Sequence, residues 1–148
     1  NQALANEDKA EGRTRLVEAV AVLTDASDLA VAGVSLGLLG DNDTAFAALD
    51  KALSLDPTDP LTLYQRGRAV AVTGRDLDSG RDALLRFLSG SAWISGVNYR
   101  AAAHWRLGMI CQAMGDKMTA EQAYKRALVL QPKHKEAQAA LKALKTAG

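Results

Sequence analysis

Residues 101–134 read AAAHWRLGMICQAMGDKMTAEQAYKRALVLQPKH, and the punctuation of this stretch decides the fold. Met114-Gly115-Asp116 divides it into two apolar-periodic halves. Leu107 and Cys111 share a helical face in the first half, and Ala120, Tyr124, Ala127 and Leu128 share one in the second. Gly115 permits the positive φ of a tight turn, and Pro132 stops the second helix. Two helices joined in this way run antiparallel. The pair leaves an apolar face open, and a neighbouring pair must cover it.

The same phrase recurs upstream. Leu39-Gly40-Asp41 and Thr73-Gly74-Arg75 repeat the turn. Gly40 and Gly74 are 34 residues apart, and Gly74 and Gly115 are 41 apart, seven more. A second glycine, Gly33, Gly67 or Gly108, stands seven residues before each turn glycine, where a small residue lets two helix axes approach closely. Ala52-Leu53-Ser54-Leu55-Asp56-Pro57 ends its helix as Ala127-Leu128-Val129-Leu130-Gln131-Pro132 does.

These phrases resemble the tetratricopeptide repeat, a helix-turn-helix unit of about 34 residues. Residues 101–134 carry its Leu107-Gly108 step, its Gly115-Asp116 turn, and Ala120, Tyr124, Ala127-Leu128 and Pro132 in order. Cys111 stands where the family usually has Tyr, and Trp105 is one place later than the usual Trp. Residues 26–59 match through Ala32-Gly33, Leu36, Gly40-Asp41, Ala45, Leu49, Ala52-Leu53 and Pro57. Residues 60–90 match through Gly67 and Gly74. One extra turn residue then brings Gly80, Leu84 and Phe87-Leu88 into phase, and the terminal Pro is missing.

The resemblance implies an all-α fold, a solenoid of antiparallel helix pairs with about three repeats and flanking capping helices. The expected organisation is a partial repeat at 1–25, repeats at 26–59, 60–90 and 101–134, an insertion loop at 91–100, and a capping helix at 135–148. In the first segment Gly12, Leu16, Ala19 and Val20 have the spacing of a second repeat helix. In the last, Ala137, Ala140, Leu141 and Leu144 share one face. The insertion loop brings Trp93 and Ile94 among Ser and Gly; they are expected to tuck into the adjoining repeat, with contact to a partner as the alternative.

Composition agrees with helix. The chain has 148 residues, of which 28 are Ala, 21 Leu and only 3 Pro, while aromatics are 5%. This excludes a collagen-like or disordered chain and disfavours a β-sandwich. No run of about 18 apolar residues occurs, so no membrane insertion is expected within this segment. Residues 1–100 carry net charge −4 and residues 101–148 carry +5. That asymmetry is too mild for a nucleic-acid footprint; RNA binding by Lys125, Arg126, Lys133, Lys135, Lys142 and Lys145 is the weaker alternative to a solvated surface. The single Cys111 allows no intramolecular disulfide, which suits cytoplasm or periplasm alike. The chain starts at Asn1, so it reads as a processed product or part of something longer. Its alanine content suggests a bacterial source.

No catalytic constellation emerges. His104 and His134 are 30 residues apart, without a carboxylate placed to orient either as a base. The glycines of Gly33-Val34-Ser35-Leu36-Gly37-Leu38-Leu39-Gly40 have the wrong spacing for a phosphate loop, follow no strand and are expected inside a repeat helix. Asp41, Asp43, Asp56 and Asp59 suit turns and helix caps better than calcium. Asn42-Asp43-Thr44 is a sequon inside a repeat turn, where modification is not expected. Cys111 reads as a packed thiol. The expectation is a non-enzyme without cofactor or metal.

In the family, the first helix of each pair lines a concave groove. The resemblance carries that role to Ala30, Val34, Gly37 and Leu38, to Leu61, Tyr64, Gln65, Arg68 and Val72, and to Ala102, Trp105, Arg106, Met109, Gln112 and Ala113. Among these, Val34, Leu61, Tyr64, Gln65, Arg68, Val72, Trp105, Arg106, Met109 and Gln112 are the expected partner-binding residues. Arg68 and Arg106 suit carboxylates or backbone carbonyls, and Tyr64 and Trp105 an apolar side chain. Some relatives clamp a chaperone's acidic tail with Lys and Asn, where this chain has Ala30 and Val34, and with a Lys where it has Ala102. That partner is therefore not expected. The reading is a non-catalytic scaffold holding a protein's peptide or helix. Its alternatives are an adaptor domain of a larger enzyme or of a bacterial envelope-assembly protein (secretion or polysaccharide export), and a homo-oligomerising self-association module.

Overall fold

A computed structural model describes residues 1–147; Gly148, the last residue of the expected capping helix, lies outside the described residues. The element order is α1 (Gln2–Val22), α2 (Ala26–Leu38), α3 (Asn42–Leu55), α4 (Pro60–Thr73), α5 (Leu77–Ser89), β1 (Trp93–Ile94), β2 (Val97–Asn98), α6 (Arg100–Ala113), α7 (Lys117–Leu130) and α8 (Lys135–Thr146). The chain forms two compact units that divide after Gln65, inside α4.

Five of the helix starts, those of α2, α3, α4, α7 and α8, share one device. The carboxylates of Asp41, Asp59 and Asp116 each accept the backbone N–H of a threonine three residues on, Thr44 at 3.1 Å, Thr62 at 2.9 Å and Thr119 at 3.1 Å. Each bond satisfies a donor that the first helical turn leaves open. Asp25 does the same for α2 through Asp28, and His134 Nδ1 for α8 through Ala137. The backbone bond from Thr44 holds the Asp41 carboxyl below its ordinary value, and that from Thr58 does so for Asp56. The pairs turn at glycine. Gly115 has φ +83°, and beyond it the Asp116 N–H reaches back to the Cys111 carbonyl at 2.9 Å, closing the end of α6.

The first unit packs Val20 of α1, Leu29, Ala32 and Leu36 of α2, and Ala45, Ala48 and Ala52 of α3 into one core, with Leu16, Val17 and Leu23 against it. Burying each such leucine contributes roughly 1.5–3 kcal/mol. Two cationic side chains hold α1 in place. Arg13 Nε pairs with Asp41 at 2.7 Å, and Lys51 Nζ donates to the Val20 carbonyl at 2.8 Å and the Ala21 carbonyl at 3.3 Å. Residues 1–11 are exposed throughout.

In the second unit the helices approach through bare backbone. A Cβ on Gly67 of α4 would fall 2.2 Å from Leu84 Cγ of α5. The extra residue between these helices is absorbed at Asp76, whose φ is +54°. The buried Arg66 holds that turn by donating to Asp76 Oδ2 at 3.0 Å and Ser79 Oγ at 3.2 Å. Leu84, Phe87, Ile110 and Tyr124 are the large buried side chains of this unit, together with Val70.

Within residues 91–100, expected as a loop, the chain makes a small hairpin. Trp93 pairs with Asn98 and Ile94 with Val97. Ser95 and Gly96 between them have φ +49° and +79°, the two positive values that a type I′ turn needs. Trp93 does not tuck into the adjoining repeat: it is 51% exposed. Two-residue strands carry it out from a base tied at residues 88–100. There Tyr99 N–H donates to Ala92 O at 2.8 Å, and the Arg100 guanidinium donates to Leu88 O at 3.0 Å and Gly90 O at 2.9 Å.

Candidate functional site

The expected partner-binding residues lie on α2, α4 and α6, the first helices of their pairs, and divide between the units. In the first unit Val34, Leu61 and Gln65 are half-buried. Gln65 Oε1 is buried and accepts no hydrogen bond among the described residues. Tyr64 is buried, at 5% exposure, so in this structure its ring packs inside rather than standing open to a ligand.

The second unit holds the rest. Arg68 is half-buried and Val72 exposed on the last turns of α4. On α6, Trp105, Arg106 and Met109 are half-buried and meet as one platform. The Arg106 guanidinium lies 3.9 Å over the Trp105 ring, and its Nη1 is 3.7 Å from Met109 Sδ. Such a stacked cation contributes about 0.5–1 kcal/mol at a partly exposed site. Trp105 in turn meets His134, with ring centroids 5.4 Å apart and planes at 54°. His134 is held as the cap of α8, so the platform is anchored to the start of that helix. Gln112 is exposed, and its Oε1 accepts the Tyr124 hydroxyl at 2.8 Å. The result is an apolar shelf with a forked cation and an oriented amide, a chemistry suited to peptide backbone and side chains.

Burial shifts two titratable groups of α6. Burial, then the cations of Arg126 and Arg100, push the His104 imidazole below its ordinary value. Burial also pushes the Cys111 thiol up, with Asp116 adding to the effect and Arg81 opposing it. A buried, protonated thiol is a poor nucleophile. Among the described residues no group of His, Cys, Asp or Glu could hold a metal ion, and no helix is long and apolar enough to cross a membrane.

One surface was not anticipated from the sequence. Leu128 of α7 and Leu141 of α8 floor an open groove of about 470 Å³, bordered by Lys142 and Lys145. A signal for it exists: eight residues after the caps Asp25 and Asp59 come Gly33 and Gly67, but eight after His134 comes Lys142. The glycine of close helix packing is there replaced by a charge.

The tetratricopeptide-repeat family model matches residues 29–59 and 101–134. No curated protein matches the chain in sequence. Among solved structures, the chain is similar to the MamA protein, at 20% identity and TM-score 0.74, over 97% of this chain and 75% of that one. It is similar to the first repeat domain of Spaghetti (RPAP3), solved with an HSP90 peptide, at 21% identity and TM-score 0.70, over 83% and 92%. It is also similar to the Arabidopsis OM64 repeat domain, at 16% identity and TM-score 0.69, over 82% and 94%. At these identities the likeness is one of fold.

Proposed function

From the premise that this chain carries tetratricopeptide repeats, we propose that it is a non-catalytic interaction module, holding an extended segment or helix of another protein on its first-helix faces. The Trp105–Arg106–Met109 platform carries the reading. The close approach of α6 to α7 is made by Gly108 against Tyr124, and Trp105, Arg106 and Met109 stand half-buried on the same helix. Arg106 and Arg68 supply forked donors for carbonyls or a carboxylate.

The HSP90 peptide in the Spaghetti structure belongs to that protein. In this chain Ala30 is fully buried and Val34 half-buried on α2, so neither position offers a polar or cationic group to an acidic tail. The test is a panel of random peptides displayed against the wild-type chain and against Arg68→Ala/Arg106→Ala, after circular dichroism shows equal helicity. Peptides selected by the wild type should lose most of their binding to the variant. Equal binding to both would overturn the reading.

A further inference from the structure

We propose that a second copy of this chain is the occupant of the α7–α8 groove, presenting the first three turns of its α1. The groove has an apolar floor, Leu128 and Leu141, beside the exposed cations Lys142 and Lys145. Its occupant should therefore be a helix with one apolar side chain flanked by carboxylates. The start of α1 has that pattern. Leu4 is 63% exposed, and Glu7, Asp8 and Glu11 follow at three, four and seven residues, on the same helix face.

The two surfaces are unequal in charge. Residues 1–11 carry three carboxylates and one lysine, and residues 133–146 carry four lysines and one glutamate. Within its own helix Glu11 is paired with Arg15, whereas Glu7 and Asp8 have no partner among the described residues. On the groove side Glu121 of α7 is paired with Lys125 at 2.9 Å and is also drawn by Lys145, so Lys142 is the principal unmet cation. The stretch of α1 over residues 1–11 is polar and exposed along its whole length, a condition in which an isolated helix is marginal.

The mode of contact follows from Lys142. It stands where Gly33 and Gly67 let other first helices meet a second helix closely, so the incoming α1 stays farther off and is held mainly by charge. α1 of one copy meets the α7–α8 groove of the next, two different surfaces, which makes the contact heterologous. Three helical turns bury less than a standard interface, so the association is weak and salt-sensitive.

Sedimentation velocity of the 148-residue chain tests this, at salt concentrations of about 10 mM and about 1 M, where the Debye length falls from about 30 Å to about 3 Å. The wild type should associate with rising concentration at low salt and weaken about tenfold or more at high salt. Glu7→Lys/Asp8→Lys should sediment as a monomer, and so should Lys142→Glu/Lys145→Glu. A chain carrying all four changes should associate again, because the swapped helix meets a swapped groove. Circular dichroism checks that each variant is folded, and none touches α4 or α6. A wild type that stays monomeric would overturn the proposal, even if its groove bound a synthetic acidic helix. So would an association unaffected by either swap, or a four-fold variant that remains monomeric.

Discussion

A β-carbon on Gly108 would lie 2.4 Å from Cε1 of Tyr124. The backbone of α6 and the ring of α7 are thus in direct contact, and the Tyr124 hydroxyl reaches on to Gln112. The same residue pair closes the core of the repeat and orients an amide on the candidate binding face.

Gly108→Ala should therefore destabilise the chain although alanine is the better helix former. Overpacking costs about 1–3 kcal/mol against a propensity gain of about 1 kcal/mol, for a net loss of up to about 2 kcal/mol. Gly12→Ala is the control. Nothing lies within 4 Å of the Cβ position there, so the change should stabilise by about 0.5–1 kcal/mol. Urea midpoints at unchanged slope read both, and a gain in both would refute the close approach.

Lys51→Met should loosen the end of α1. It keeps the apolar stem but removes the ammonium that donates to the Val20 and Ala21 carbonyls. A loss of about 1 kcal/mol is expected. Amide exchange should quicken at Leu23, which bonds the Ala19 carbonyl. Unchanged exchange there would mean that the Arg13–Asp41 pair and the apolar contacts of Leu16 and Val17 hold α1 without Lys51.

His104 makes stability depend on pH. Its folded imidazole is held below the ordinary value of 6.5, so the folded state binds fewer protons than the unfolded one. The contribution is fully present above that value and is lost as pH falls below it toward the lowered folded value. His104→Gln should flatten the slope of the urea midpoint against pH between about 7 and about 5. A slope identical to wild type would assign the proton uptake to another group.

Cys111 should report on opening. It is 2% exposed and its thiol is pushed up by burial, so a thiol reagent should modify the native chain far more slowly than the urea-unfolded one. The native rate should rise with urea below the transition, as subglobal openings expose α6. Rapid modification of the native chain would contradict the packing of α6 on α7.

The helix pairs were legible because glycine and proline punctuate them: Gly40, Gly115, Pro57 and Pro132 mark ends that any apolar period must respect. Closeness was legible too, since Gly67 and Gly108 recur where a side chain would collide. The hairpin was not, because strands of two residues are too short to show alternation, and Ser95-Gly96 alone is a weak turn signal. Nor was the burial of Tyr64. Helical spacing tells which residues share a face, but not how deeply neighbouring elements cover each of them. The α7–α8 groove was overlooked because its leucines satisfy the capping-helix pattern and its lysines read as solvated surface.

The base of the hairpin has a consequence for engineering. Tyr99 N–H to Ala92 O closes the excursion, and Arg100 fastens it to the carbonyls of Leu88 and Gly90. The helices on either side therefore do not depend on what lies between Trp93 and Asn98. A foreign epitope or a whole folded domain grafted between Ser95 and Gly96 should be accommodated with α5 and α6 undisturbed, giving this repeat array a socket for cargo.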